Sequence, residues 1–432
     1  MNAICLVIDR LHAGYLGCYG NSWVVTPEFN RLAAESFLFD QAIIDAPELA
    51  SLYRSWWFGQ HAYQSQANLP LPESLPARLQ AAGIATTLWT DDPSVNDALP
   101  ASVTNSVSIE SAVSRLPTQP AIETRKAHCG VLFDRALTWL ESAPEPFLLW
   151  LHSGSLGLTW DAPRAVRDQY VSEEDPESSR GVEVPRLVLP PNYDPDDLLS
   201  IAQAYAGQVS VLDEHLGHFL NCLRDSSLAA NTLVVVVGAR GLALGEHRRV
   251  GAWDEALQSE TIHVPWLLRN PDGVGALNRS SALVQPSDLG PTLLEWFGIL
   301  GQGDFPNSRS LGCLVRDELS SAGAARWRDR ACTLNTAGER GIRSKRWYLR
   351  QAVTRLPGDE STGSMGEETQ ERPYHWLYAK PDDRFEVNEV SNRAPETTAL
   401  LAEAEASFAR LAAANDLAAL APLDESLDHP PS

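Results

Sequence analysis

The residues able to do chemistry are few and far apart along the chain. Asp9 closes an apolar run over 3–8 and is followed at once by Arg10. A carboxylate in that position serves either as a ligand for a hard cation or as the buried partner of a neighbouring guanidinium. Ser51 offers an aliphatic hydroxyl, but no Gly-x-Ser-x-Gly elbow surrounds it, and it reads as a cap or first-turn residue of a helix. His152 ends another apolar run and reads as a hydrogen-bonded scaffold residue rather than a general acid. Glu246 and His247 are adjacent in sequence, a spacing that seldom lets two side chains share one metal ion. Trp56-Trp57-Phe58 and His61 read as aromatic core packing rather than a pocket wall. Asp161, Asp254 and Glu255 read as solvated charges.

Such groups need a framework to hold them. Apolar runs at 3–8, 84–89, 147–152, 233–237 and 264–268 have the continuous character of strands buried on both faces. Helical patterns lie between them. Ile201, Tyr205, Val209, Leu212, Leu216, Phe219 and Leu223 recur in steps of three and four on one face. A second helix spans 288–297, with Pro291 in its first turn. The alternation predicts an α/β fold with a large, mostly parallel sheet flanked by helices. Residues 171–198 and 357–373 are too polar for a core and read as loops. After Gln302, strand-like pieces at 331–335, 347–350 and 376–378 suggest a small α+β subdomain. An Ala-rich segment over 395–414, with Leu401, Phe408 and Leu411 at helical spacing, forms a closing helix before an acidic tail expected to fray. The division is therefore 1–302, an α/β domain; 303–394, a C-terminal subdomain; and 395–432, the closing helix and tail.

Bulk properties exclude several functions. The formal net charge of -22 argues against nucleic acid and anionic membranes as partners. No apolar run approaches the ~20 residues that span a bilayer. The opening Met-Asn-Ala-Ile-Cys-Leu-Val-Ile-Asp has neither a basic region nor a small-residue cleavage site, so a cytoplasmic location is expected. The six cysteines form no Cys-x-x-Cys pair and read as reduced, mostly buried thiols.

Four ordered segments carry a family resemblance. The first joins Val7-Ile8-Asp9 to Leu16-Gly17-Cys18-Tyr19-Gly20-Asn21 and Thr26-Pro27-Glu28-Phe29-Asn30-Arg31-Leu32-Ala33. The second runs from Tyr205 to Leu223 with Asp213 and Gly217. The third leads from Asn231-Thr232 and the valine run into Leu244-Gly245-Glu246-His247 and Ile262-His263-Val264-Pro265. The fourth is Ser287-Asp288-Leu289-Gly290-Pro291-Thr292-Leu293-Leu294. Gly341-Ile342-Arg343, Lys345-Arg346-Trp347 and Leu377-Tyr378 through Asn388 continue the match. In order and spacing these segments, over roughly residues 3 to 392, resemble the sulfatases of the alkaline phosphatase-like superfamily.

The resemblance also implies what is missing. Sulfatases hold a divalent cation, calcium or magnesium, with an Asp-Asp pair after the first strand and an Asp-Asn or Asp-His pair after a later one. Here the corresponding residues are Asp9-Arg10 and Ala239-Arg240, so Asp9 alone remains of the four metal ligands. The family nucleophile, a formylglycine made in Cys-x-Pro-Ser-Arg, corresponds to the stretch Ala46-Pro47-Glu48-Leu49-Ala50-Ser51-Leu52-Tyr53-Arg54. Leu49 takes the nucleophile position and Tyr53 that of the arginine; shifting by one residue puts Ala50 and Arg54 there. The family's His-x-x-Asp-x-His is reduced to His152, with Gly157 at the lost histidine. The expectation is thus a catalytically inactive pseudo-sulfatase with a binding or regulatory role and no cofactor. Arg10 and Arg240 would balance Asp9 in the space of the lost cation and could still bind an anion. An anionic small molecule or an active sulfatase relative is the expected partner. Two alternatives stand beside it: an active metal-dependent hydrolase of sulfate or phosphate esters with a non-standard site, and a structural or assembly protein.

Overall fold

The computed structural model describes residues 1–301, 303–317, 327–353 and 373–428. In chain order the strands are β1 (Asn2–Ile8), β2 (Phe37–Ile43), β3 (Ala85–Thr90), β4 (Ser108–Ser111), β5 (Phe147–Ser153), β6 (Leu187–Val188), β7 (Thr232–Gly238), β8 (Ala243–Leu244), β9 (Arg249–Gly251), β10 (His263–Arg269), β11 (Arg279–Val284), β12 (Arg330–Leu334), β13 (Arg340–Ser344), β14 (Trp347–Ala352) and β15 (Tyr374–Ala379). Eight form one large sheet in the order β11-β2-β10-β7-β1-β5-β3-β4. It is parallel except at β10, which runs against both β2 and β7. The five apolar runs became β1, β3, β5, β7 and β10. Three strands lack such a run: β4 and β11 lie at the two edges, where polar residues meet water, and Asp40-Gln41 interrupts β2.

Alternation along the central strands divides the core. Ala3, Cys5 and Val7 of β1 and Leu233, Val235 and Val237 of β7 face one side, against the helices Leu49–Phe58 and Leu289–Trp296. Ile4, Leu6, Ile8, Val234 and Val236 face the other. There the long helix Pro195–Arg224 lays down its stripe: Tyr205, Val209, Leu212, Leu216, Phe219 and Leu223 are buried. This helix also organises the chain's start. The Asp213 carboxylate accepts the N–H groups of Glu28 and Phe29, capping the helix Pro27–Ala34. A side chain at Gly217 would collide with Glu28, its Cβ lying 2.3 Å from Glu28 Cγ.

The small sheet, β12-β13-β14-β15, is antiparallel throughout. Tyr348, Trp376 and Tyr378 turn toward the core of the large sheet. Ile342, Leu349 and Leu377 turn to the closing helix Pro395–Ala413, against Leu401, Phe408 and Ala412. Phe305, Leu311, Leu314 and Val315, beyond the boundary anticipated at residue 302, pack with the large sheet.

Two expectations are corrected. The loop anticipated over 171–198 ends earlier: Asp194 caps a helix whose first residue is Pro195, since proline suits a first turn that needs no N–H. The loop also contains β6, paired with β9. Nor is the tail frayed over 421–428. Leu427 is buried beneath the closing helix, and the Leu423 N–H is held by Asp329 at 2.7 Å. Residues 357–372 of the second anticipated loop lie outside the described residues, as do 429–432. Among the described residues no two cysteines form a disulfide.

Candidate functional site

Strand register assembles the site. β1 lies between β5 and β7, all parallel, with Ile8 opposite Ser153 on one side and Gly238 on the other. The residues that follow therefore emerge side by side at the carboxyl ends of three strands, where α/β sheets place their ligands. The Asp9 N–H reaches the Ser153 carbonyl at 2.8 Å, and the Ala239 N–H reaches that of Ile8 at 2.9 Å.

Two arginines and two aspartates fill this place. Arg240 grips Asp9 with a two-pronged fork, Nε to Oδ1 at 2.9 Å and Nη2 to Oδ2 at 2.6 Å. Its remaining nitrogen bridges to Asp254 Oδ2 at 3.0 Å and the Pro47 carbonyl at 3.2 Å. Arg10 grips Asp254 in the same way, at 2.7 and 2.8 Å, and its Nε lies 3.8 Å from Asp9. The four charges cancel within one cluster. Burial would raise the Asp9 carboxyl, but the nearby charges of Arg240 and then Arg10 outweigh it and hold the group far below the usual range.

Arg10 reaches its place through strained backbone, at φ 61°. Tyr205 fixes it, donating to the Arg10 carbonyl at 2.7 Å and accepting the His12 N–H at 2.9 Å. The side chain of Arg10 then runs over Gly157: a Cβ there would sit 2.8 Å from Arg10 Cγ. The position where the resemblance implies a histidine is filled by arginine.

Leu49 opens the helix Leu49–Phe58 and is buried. It follows Pro47, the residue Arg240 touches, by two positions. Ser51 sits in the first turn, with Glu48 at the cap. Among the described residues, neither Ser51 nor Arg54 bonds to the cluster. Tyr53 is fully buried, its hydroxyl 2.9 Å from His152 Nδ1. Burial brings His152 down to about 4, against the pull of Asp9 and Asp92; near pH 7 it is a neutral ring stacked on Tyr53.

A divalent cation does not fit this donor set. Both oxygens of Asp9 are taken by Arg240, Ala239 has no ligand atom, and two guanidinium charges stand where a cation would. Among the described residues no group of three or more His, Cys, Asp or Glu side chains converges as a metal site. Glu246 and His247 diverge: Glu246 accepts the Leu244 N–H and lies 3.3 Å from His12, while His247 pairs with Glu260 at 2.8 Å. Trp56, Trp57 and Phe58 are core, and His61 Nε2 lies 3.1 Å from the Cys332 carbonyl oxygen. Asp161 is corrected from a solvated charge to a buried one that accepts the His128 N–H. Glu255 pairs with Arg186 at the surface.

Asp254 is the main residue that sequence reading missed. It is half-buried rather than solvated, and it completes the cluster. Charge balance was the available signal, since two arginines converging on one aspartate require a second carboxylate. Asp91 was missed as well. It is buried at the end of β3 and accepts the Gly154 N–H at 2.7 Å, and burial raises it to about 7.

Residues 1–299 match the family model described as Sulfatase. Human iduronate 2-sulfatase is 23% identical over 362 residues, covering 68% of this chain and 65% of that protein. An N-acetylglucosamine-6-O-sulfatase of Bacteroides thetaiotaomicron is 32% identical over 96 residues, 22% of this chain and 17% of that protein. The chain thus spans less than two thirds of these relatives. The structure of a protein in complex with its substrate D-glucosamine-2-N,6-O-disulfate superposes with a TM-score of 0.70 at 16% identity, covering 96% and 98% of the two chains. The phosphonate monoester hydrolase of Agrobacterium radiobacter gives 0.71 at 15%, covering 95% and 96%. These likenesses establish the α/β fold.

Two outcomes follow from the cluster. Asp9→Asn leaves the buried cluster with one unbalanced positive charge and should lower stability by about 3–5 kcal/mol in urea unfolding. The Asp9→Leu, Arg240→Met double variant should lose less than the sum of the two single changes; additive losses would show that the pair is uncoupled. Asp91 gives a pH signature. Its folded carboxyl titrates near 7 but its unfolded one near about 4, so its contribution to folding is lost as pH rises between those values. The melting temperature of Asp91→Asn, relative to the natural chain, should climb between pH 4.5 and 7.5 and then level off; a flat difference contradicts the assignment.

Proposed function

We propose that this chain, which belongs to the sulfatase family, is a catalytically inactive member whose former reaction centre has become a closed ion-pair cluster, leaving the scaffold for a binding or regulatory role. The observation that carries this reading is the Asp9–Arg240 fork. It consumes the last metal-ligand carboxylate of the centre and puts a fixed positive charge where the family's chemistry would need an open cation site. Leu49 supports it from the other side of the reaction, because its side chain can neither attack an ester nor be oxidised to an aldehyde. His152, neutral and stacked on Tyr53, adds no cationic proton donor.

The fold likeness to a phosphonate monoester hydrolase favours one second reading, an active hydrolase of sulfate or phosphate esters at a non-standard site, since the scaffold hosts more than one ester chemistry. One experiment separates the two. Aryl sulfate and aryl phosphate should show no turnover above background, and neither millimolar calcium nor EDTA should move the melting temperature. A rate that EDTA abolishes would overturn the inactive reading.

Anion binding at Arg10 and Arg240 has a structural condition. Asp254 already occupies both guanidinium groups as an internal carboxylate, so an external anion competes with it. Millimolar sulfate should therefore raise the melting temperature of Asp254→Ala by several degrees more than that of the natural chain. Equal responses would remove these arginines as an anion site.

A further inference from the structure

A cavity of about 350 Å³ opens between β2, β10 and β11 of the large sheet and the small sheet, a volume suited to a small-molecule ligand. In a chain of net charge -22, its lining is unexpectedly basic: Arg279 on β11, Arg343 on β13, and Lys380 and Arg384 in the segment after β15. Two of these cations are answered by carboxylates. Arg279 Nε lies 3.1 Å from Asp40, and Lys380 Nζ lies 3.0 Å from Glu386. The other two meet neutral acceptors. Arg343 donates to the Gln41 side-chain oxygen at 2.8 Å, and Arg384 to the Tyr19 carbonyl at 3.2 Å.

Arg343 is the informative member. It is 7% exposed, and its buried Nε has no hydrogen-bond partner among the described residues. Burial lowers it to about 10, against the longer-range pull of Glu386. Glu386 is already committed, bonding Ser259 as well as Lys380. Asp383, which precedes Arg384 in the chain, turns its oxygens to the Val387 and Asn388 N–H groups. A buried guanidinium with an unused N–H is costly unless something pairs with it.

We propose that this cavity is a binding site for a small molecule bearing a sulfate or phosphate group, held between the guanidinium groups of Arg343 and Arg384. Planar N–H forks match tetrahedral oxyanions, and two positive charges without carboxylate partners among the described residues match a dianion. The site is separate from the Asp9 centre and stands whether or not that centre turns over esters.

Calorimetric titration of the full chain with inorganic sulfate, inorganic phosphate and acetate in a low-chloride buffer tests it. Saturable binding of sulfate or phosphate is expected, weakened at least tenfold in Arg384→Gln and in Arg343→Gln; whichever tetrahedral anion binds more tightly identifies the group. Arg384 is exposed and bonds only to a backbone carbonyl among the described residues, so its variant decides the matter if Arg343→Gln fails to fold. The proposal is overturned if neither tetrahedral anion binds at 10 mM, if acetate binds as tightly, or if binding is undiminished in Arg384→Gln. Because the readout is binding rather than turnover, an active hydrolase in the assays above would leave this result untouched.

Discussion

The fork between Asp9 and Arg240 joins the carboxyl ends of β1 and β7, and much of the surrounding structure is arranged to make it affordable. A buried carboxylate at that point must be neutralised. One guanidinium does so directly, and its surplus donor then needs Asp254. Asp254 in turn balances Arg10, which stands on strained backbone that Tyr205 secures from the long helix. Helix, sheet and the loop after β9 are thereby tied to one electrostatic condition, that the cluster sum to zero. A cation centre on the same scaffold would satisfy that condition with a dissociable ion; here it is met covalently, by residues that cannot leave.

The framework was legible because it depends on local pattern. The apolar runs that became β1, β5 and β7 announce burial on both faces, and the steps of three and four from Tyr205 to Leu223 announce one helix face. β2, β4 and β11 were not legible, since their polar residues meet the sheet edge or a cavity and the hydrophobic signal disappears. The one antiparallel member, β10, could not be told from its parallel neighbours, because strand direction is set by connections rather than composition.

At the site, the same division holds. Asp9, Arg10, Arg240, Leu49, His152 and Gly157 could be named in advance because the motifs fix their place after particular strands. Asp254 could not, because its position follows from a turn geometry that no periodicity reports. Its identity as a partner follows from charge, which becomes informative only once the arginines are known to converge. Arg343 shows the same limit in another form: its segment is recognisable, but the vacant N–H is visible only when the neighbouring strands are in register.

Gly157 carries a consequence for substitution. Its lack of a side chain and the path of Arg10 are complementary, with 2.8 Å between the missing Cβ and Arg10 Cγ. A histidine introduced at 157 would collide with Arg10, an aspartate introduced at 10 would leave Asp254 beside a second unbalanced carboxylate, and an aspartate at 239 would add a third negative charge to a neutral cluster. Each change toward a metal centre is penalised while the others are absent. Arg10, Gly157, Ala239, Arg240 and Asp254 therefore constrain one another, so that a metal centre is reached from this sequence by concerted substitutions rather than by any single one.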